Sequence, residues 1–442
     1  MDSKQQLPAQ LEQSFKLYKM RWVVLVVSVF TCASGNMQWM QYGIIGDVLV
    51  LYYGISFDAV NWTSMVFLLM YIIFLFPVSY ILDKYGVRVS LIVGIVGTAI
   101  GAWIKVLSAS PDRFWVLLVG QTFVAIGTST FLALPAKLAA VWFGANEVSS
   151  ACGFALAGVQ MGFAVGYAVP PLLIRNQYDR SLIEGDLFTM SLCVAITCTV
   201  LVIVVLICCP DKPETPPSYA AMCCQDQRIT FFEPLKKLVA NRAYLLIVVG
   251  FGIDLGVSGA VSALLNQIVL AYYPEGFLDA GRIGLLAVTT GIFGSIICGI
   301  VLDRYKCYKE ALLTLQLMTI LTMTVFTVTF KMHIISVYVS MGLLGFYLGA
   351  QWALSFEIVA EITFPEPEGI AVALLNGFGQ ALAIPLTYLY STLFYQANVV
   401  WANTAITILA NVAFVAMLCM PMELRRKAAN LKEKEQKSVH CN

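Results

Sequence analysis

Inside an apolar run that begins at Trp22, the stretch NMQWMQYG at 36–43 packs an Asn, two Gln, a Trp and a Tyr into eight positions. Polar groups surrounded by hydrocarbon must pair within a helix bundle or line a wet cavity. At helical spacing Asn36, Trp39 and Gly43 share one side. An indole that only anchors a helix at the membrane surface sits near the end of a span, whereas Trp39 sits well inside one. A π face at that depth holds a cation without an ionic partner. Packing is the rival role: Gly35 and Gly43 allow close helix approach, and the indole then fills space between helices.

Other polar side chains fall inside apolar stretches: Gln121, Thr128, Gln160, Asp254, Asn266, Gln351, Trp352, Glu357, Glu361, Asn376 and Gln380. Asp254 stands ten residues into its stretch, where an unpaired carboxylate is costly, so it is expected to meet a cation or a proton, or to be satisfied by packing. Glu357 and Glu361 are one turn apart near a span end and read as a structural or gating pair. Enzyme chemistry has no comparable signal. His333 and His440 are the only histidines, and no H-E-x-x-H, G-x-S-x-G or Walker loop occurs. No cofactor, metal or nucleic-acid partner is expected.

These residues need a membrane bundle to position them. The chain is 59% hydrophobic and 12% charged, with a mean hydropathy of +0.80, about half the charge of a soluble protein. Apolar stretches long enough to cross hydrocarbon run over 22–46, 59–82, 88–107, 113–141, 148–174, 187–209, 244–272, 282–302, 309–330, 333–362, 369–394 and 398–421. Twelve spans place both termini on one side. Of 27 basic residues, all but Lys105, Arg113, Arg175, Arg180, Arg282 and Lys331 fall on that side, which is therefore the cytosol. The twelve cysteines lie in spans or cytosolic segments, giving no exoplasmic disulfide framework; Cys208, Cys209, Cys223 and Cys224 read as buried thiols and an acylation site. The sequon at Asn61 abuts the membrane and is expected to be unmodified.

The chain also repeats itself. ILDKYGVR after the second span has a counterpart in VLDRYKCYK after the eighth, with Asp303 following Asp83 by 220 positions. WFGANE pairs with TFPEPE at nearly the same offset. Two similar halves follow: an N-tail (1–21), a six-helix half (22–209), a Pro-rich cytosolic linker (210–243) with a short amphipathic helix over FFEPLKKLV, a second half (244–421) and a C-tail (422–442). This plan resembles the major facilitator superfamily, an all-α membrane fold of two pseudo-symmetric six-helix halves with substrate at midplane. Asp83-Lys84 and Asp303-Arg304 resemble its G-x-x-x-D-R-x-G-R loop, whose acid can lock one state against the positive end of a neighbouring helix; the alternative is that these charges only set topology.

QWMQYGII, GAWIK, WFGANEVSSACGFA, VPPLL, DAGRIGL, GIVLDR, FEIVAEITFPEPEGI and LLNGFGQ together resemble the feline leukaemia virus subgroup C receptor-related transporters over about Arg21 to Leu424. The resemblance implies carriage of choline and ethanolamine, with haem export also ascribed to the family. It makes Trp39 one wall of an aromatic cage for a quaternary ammonium. The opposite wall, a Tyr in relatives, aligns with Gly259, which lies 220 positions beyond Trp39. A Gln of relatives aligns with Thr128, and an Asn with Asp254. Gln380 retains the family's polar contact and Gln160 its G-x-Q-x-G setting. The expected function is alternating-access carriage of choline or ethanolamine at the plasma membrane. Alternatives are haem or another small organic solute, and a receptor that binds without transporting.

Overall fold

The computed structural model describes residues 17–131, 134–144, 147–174, 179–213, 215, 232–305, 307–363 and 368–422. Among them, eleven segments are long and apolar enough to cross a membrane. The remaining span is built from two shorter helices. The chain is therefore a multi-pass, all-helical membrane protein, with the first-half helices α1–α7 and second-half helices α9–α14 joined through the short α8, Phe232–Ala240, on the stretch where the sequence predicts an amphipathic helix.

The first span differs from the continuous 22–46 helix expected. Helix α1, Met20–Met40, stops; a single 3-10 turn covers Gly43–Ile45; and α2, Gly46–Tyr53, completes the crossing. Gly43 and Gly46 are poor helix formers, and the carbonyls released by the break find side-chain donors from three helices. Gln121 Nε2 donates to Gln38 O at 2.7 Å, Ser64 Oγ to Trp39 O at 3.3 Å, and Asn266 Nδ2 to Ile44 O at 2.7 Å. Without them a broken helix could not persist in hydrocarbon.

The second and third spans, Phe57–Leu82 and Lys84–Val106, run together as α3, Phe57–Val106, turning at Gly86 with φ 84° and ψ −177°, a conformation only glycine adopts readily. The expected fourth span, 113–141, is divided into α4, Phe114–Ser129, and α5, Leu134–Trp142. Pro135 lacks a backbone N–H and sits in the first turn of α5, where that donor would be unpaired in any case. Next come α6, Val148–Leu173, and α7, Arg180–Cys208. The latter starts a full turn and more before the predicted 187, because Asp179 caps it: its Oδ1 accepts from the Ser181 amide at 3.0 Å and hydroxyl at 2.7 Å. Those bonds hold the carboxyl below the ordinary aspartate range. In the second half α9 is Arg242–Leu270, α10 Phe277–Tyr305, α11 Tyr308–Thr329, α12 Ile334–Ile362, α13 Glu368–Gln396 and α14 Val399–Leu418, each close to its predicted span.

The two ends of the bundle are unlike. At the end away from the termini, one apolar core runs through both halves and includes Tyr42, Ile45 and Leu49 with Val261, Leu264 and Ala280. A polar chain crosses the seam there. Gln267 Nε2 donates to Asn61 Oδ1 (3.3 Å), Asn61 Nδ2 to Ser391 Oγ (3.2 Å), and Ser391 Oγ to Asp58 Oδ1 (2.9 Å). Asn61 is 3% exposed and its side-chain amide is committed to this chain. At the terminal end the first-half core is built from first-half residues alone, Val24, Leu91, Phe131 and Phe143 among them. Gly153 of α6 and Gly299 of α10 have nothing within 4 Å of where a Cβ would stand. The halves are sealed at the far end; nearer the terminal end they touch where Tyr71 Oη donates to Ala373 O at 3.4 Å and Leu75 lies beside Gly377.

Lys105, counted above among the basic residues off the cytosolic side and inside the expected span 88–107, is 2% exposed near the end of the third span. Val106 and Leu107 extend the apolar stretch past it, so the lysine is drawn into the bundle.

Candidate functional site

Trp39 is the last residue but one of α1, half-buried, and faces the interior. Phe67 of α3 lies parallel to its ring with centroids 5.1 Å apart and planes 7° apart. Phe163 of α6 meets it edge-on, 5.7 Å away at 76°. Each such pair adds about 0.5–1.5 kcal/mol beyond area burial, so the indole is fixed from two sides. It also packs against a core cluster drawn mainly from second-half helices and including Leu68. Three rings from three helices make an aromatic corner. Neither Phe67 nor Phe163 stands out in the sequence, where both look like ordinary apolar span residues; only the fold brings them together. Gln160 lies three residues, just under one turn, before Phe163 on α6 and is half-buried.

On the second-half side, Gly259 of α9 is half-buried, and a Cβ placed on it would find only Thr387 Oγ1, at 3.7 Å. There is room for a side chain. Gln380 of α13 is 7% exposed, and among the described residues its Oε1 has no hydrogen-bond partner, nor has Nε1 of the half-buried Trp352. Buried polar atoms with no partner usually await one.

Three other sequence candidates are engaged by packing or hydrogen bonds within one half of the bundle. Asn36 donates from Nδ2 to Cys32 O (2.8 Å) and packs where α1 crosses Gly162 of α6. Thr128 sits directly on Gly35, its Oγ1 2.5 Å from where a Cβ on that glycine would stand. Both occupy helix contacts of the first half. Asp254, fully buried, accepts from Gln351 Nε2 at 2.6 Å; that same amide contacts Gln316. Gly252 and Gly256, two residues to either side, pack on α13, so Asp254 points to the opposite face of α9, about 200° round. Its partners come from α11 and α12, within the second half.

Of the loop pairs, the Asp83 and Asp303 side chains lie outside the described structure. Lys84 is exposed and donates to Tyr80 Oη at 2.7 Å, and the Arg304 guanidinium lies 5.8 Å from the Tyr305 ring. Glu357 is exposed while Glu361 is buried, so the two face different surroundings despite their spacing. Cys208 and Cys209 are free thiols; Cys223 and Cys224 lie outside the described residues. Among those residues no cluster of His, Cys, Asp or Glu could hold a metal.

Comparison with known proteins gives a consistent picture. The Major Facilitator Superfamily model matches residues 27–387. The choline/ethanolamine transporter FLVCR2 of Homo sapiens is 35% identical, over 96% of this chain and 81% of its own length. The choline/ethanolamine transporter flvcr2a of Danio rerio is 34% identical, over 94% and 90%. FLVCR1 of Felis catus, named likewise, is 34% identical over 93% and 74%. Among solved structures, a D-xylose-proton symporter superposes with a TM-score of 0.71 at 14% identity, covering 90% of this chain and 98% of its own. An inward-facing, occupied bacterial homologue of the lysosomal transporter Spinster gives 0.66 at 15%, covering 91% and 97%.

Proposed function

This chain belongs to the major facilitator superfamily of transporters, and within it to the FLVCR group, and from that premise we propose that it carries choline and ethanolamine across the plasma membrane by rocking its two halves, and that it catalyses no reaction. The observation that carries the reading is the aromatic corner of Trp39, Phe67 and Phe163. Choline offers no hydrogen to donate from its quaternary nitrogen, and ring faces hold such a cation without ionic help. Gln160 and Gln380 supply amides for the hydroxyl. Gly259 and Thr128 take the places of family contacts, Gly259 leaving open the wall opposite the indole.

The same reading places both termini in the cytosol, from the bias of basic residues, and divides the chain at the 210–243 linker into its two six-helix halves. The sealed far end is then exoplasmic, and the terminal end faces the cytosol. An inside-negative potential favours entry of a monovalent cation by about 2.3 kcal/mol per 100 mV. Asp83, Lys84, Asp303 and Arg304, together with Glu357 and Glu361, lie toward the cytosolic end, where they would act on opening rather than on cargo. Asp254 acts as a bundle residue, apart from the cargo.

Counterflow in proteoliposomes tests this directly: preloaded choline should drive accumulation of labelled choline, and ethanolamine should compete. Binding without counterflow would make the protein a receptor. The open space at Gly259 also suits a larger, planar cargo such as haem. Against that, His333 caps α12 at the far end and His440 is in the tail, so no imidazole is placed for axial ligation.

The vacant wall gives a further expected result. Gly259→Tyr has room for its Cβ and restores a ring opposite Trp39. A second π face adds about 1 kcal/mol, lowering KM for choline about fivefold with little change in the ethanolamine KM. An unchanged or raised choline KM would place the cargo elsewhere.

A further inference from the structure

Among the described residues Lys105 meets no carboxylate; its Nζ is surrounded by acceptors. Its Nζ donates to Gln38 Oε1 at 2.6 Å and Gln121 Oε1 at 3.1 Å, and lies 5.3 Å from the centre of the Tyr42 ring. Gln121 turns its other end to Gln38 O, one of the carbonyls released where α1 stops. Gln38 Nε2 in turn donates to Ser34 O at 3.1 Å and approaches Cys198 Sγ of α7 at 3.6 Å. One ammonium thereby ties the end of α1 to α3, α4 and α7. The C-terminal end of a helix carries partial negative charge, and a cation placed there is stabilised by it. Two amide oxygens and a π face complete its coordination. Gln38, Trp39 and Tyr42 lie within one turn and a residue, so whatever fixes the residues on either side of Trp39 fixes the indole.

We propose that Lys105 is the positioning residue of the cargo site: as a cation it caps the broken first helix from behind and thereby sets the orientation of Trp39, which it does not itself touch. The inference rests on the carrier reading for its transport consequence, but its structural core does not depend on what is carried.

The test uses the full-length chain labelled with 5-fluorotryptophan. Eight tryptophans give eight fluorine resonances, and the one missing in Trp39→Phe is that of Trp39. In Lys105→Met that resonance should shift or split while that of Trp401, exposed on the last helix of the second half, stays in place; Lys105→Arg should return it towards the wild-type position. In uptake assays the choline KM should rise about tenfold in Lys105→Met with Vmax within about twofold, and recover in Lys105→Arg. An unmoved Trp39 resonance in a folded Lys105→Met protein overturns the proposal, as does loss of Vmax at constant KM, which marks a merely structural lysine. Should Lys105→Met not reach the membrane, Lys105→Gln, which keeps an amide donor but no charge, decides on the same readouts. If the wild type takes up neither choline nor ethanolamine, the function reading fails, and the fluorine result still decides the role of Lys105.

Discussion

Trp39→Ala should bring choline uptake to near background at equal surface expression. The substitution removes the ring that presents its face to the ammonium, worth about 2 kcal/mol when desolvated, and a 1.4 kcal/mol change is already tenfold in affinity. It also leaves Phe67 and Phe163 without the ring they pack on, so the corner loosens as well as losing a wall. The expected readout is a rise in KM of at least about thirtyfold, seen as initial rates indistinguishable from vector-transfected cells at low micromolar choline. Trp39→Phe should retain part of the uptake, because a smaller π face remains. Equal uptake in wild type and Trp39→Ala would remove the indole from the cargo site.

Gly281→Leu should abolish turnover by a different route. Gly281 of α10 faces α6 across the seam between halves, and a Cβ there would stand 2.6 Å from the Tyr167 carbonyl oxygen and 3.0 Å from Pro171 Cγ. The first of these neighbours is backbone, which cannot move aside like a side-chain tip. A leucine therefore wedges the far end open, favouring the state in which the halves part on that side. A cysteine placed at Ser391, which lies inside the polar chain of the sealed end, should react with a membrane-impermeant maleimide many times faster in the Gly281→Leu background than in the wild-type one. Transport should fall at least about tenfold, because a carrier held in one state cannot cycle. Unchanged labelling together with normal uptake would show that this glycine contact is not part of the moving seam.

Both expectations begin in features that the amino-acid order discloses and end in ones it conceals. Hydropathy is local, so the number and order of spans, the duplicated loops, the amphipathic helix before α9 and the unusual polarity of residues 36–43 could all be read from the chain. So could the placement of Trp39 on an inward face. Helix continuity was another matter. Whether α1 breaks depends on donors from Ser64, Gln121 and Asn266, which are distant in sequence, and a window of residues around Gly43 contains none of them. The aromatic corner was hidden for the same reason, since Phe67 and Phe163 are unremarkable until α3 and α6 bring them to the indole.

Charge shows the division most plainly. Chain order carries the expectation for topology in where lysine and arginine concentrate, because translocation reads short loops one at a time. It could not reveal that Lys105, near the end of an apolar stretch, turns inward rather than reaching the membrane surface, nor that Asp254, on a different side of α9 from Gly259, meets Gln351 of α12. A buried ion is tolerable only where acceptors or donors converge on it. That convergence belongs to the packed bundle, in which Gln38, Gln121 and the end of α1 meet around a single ammonium.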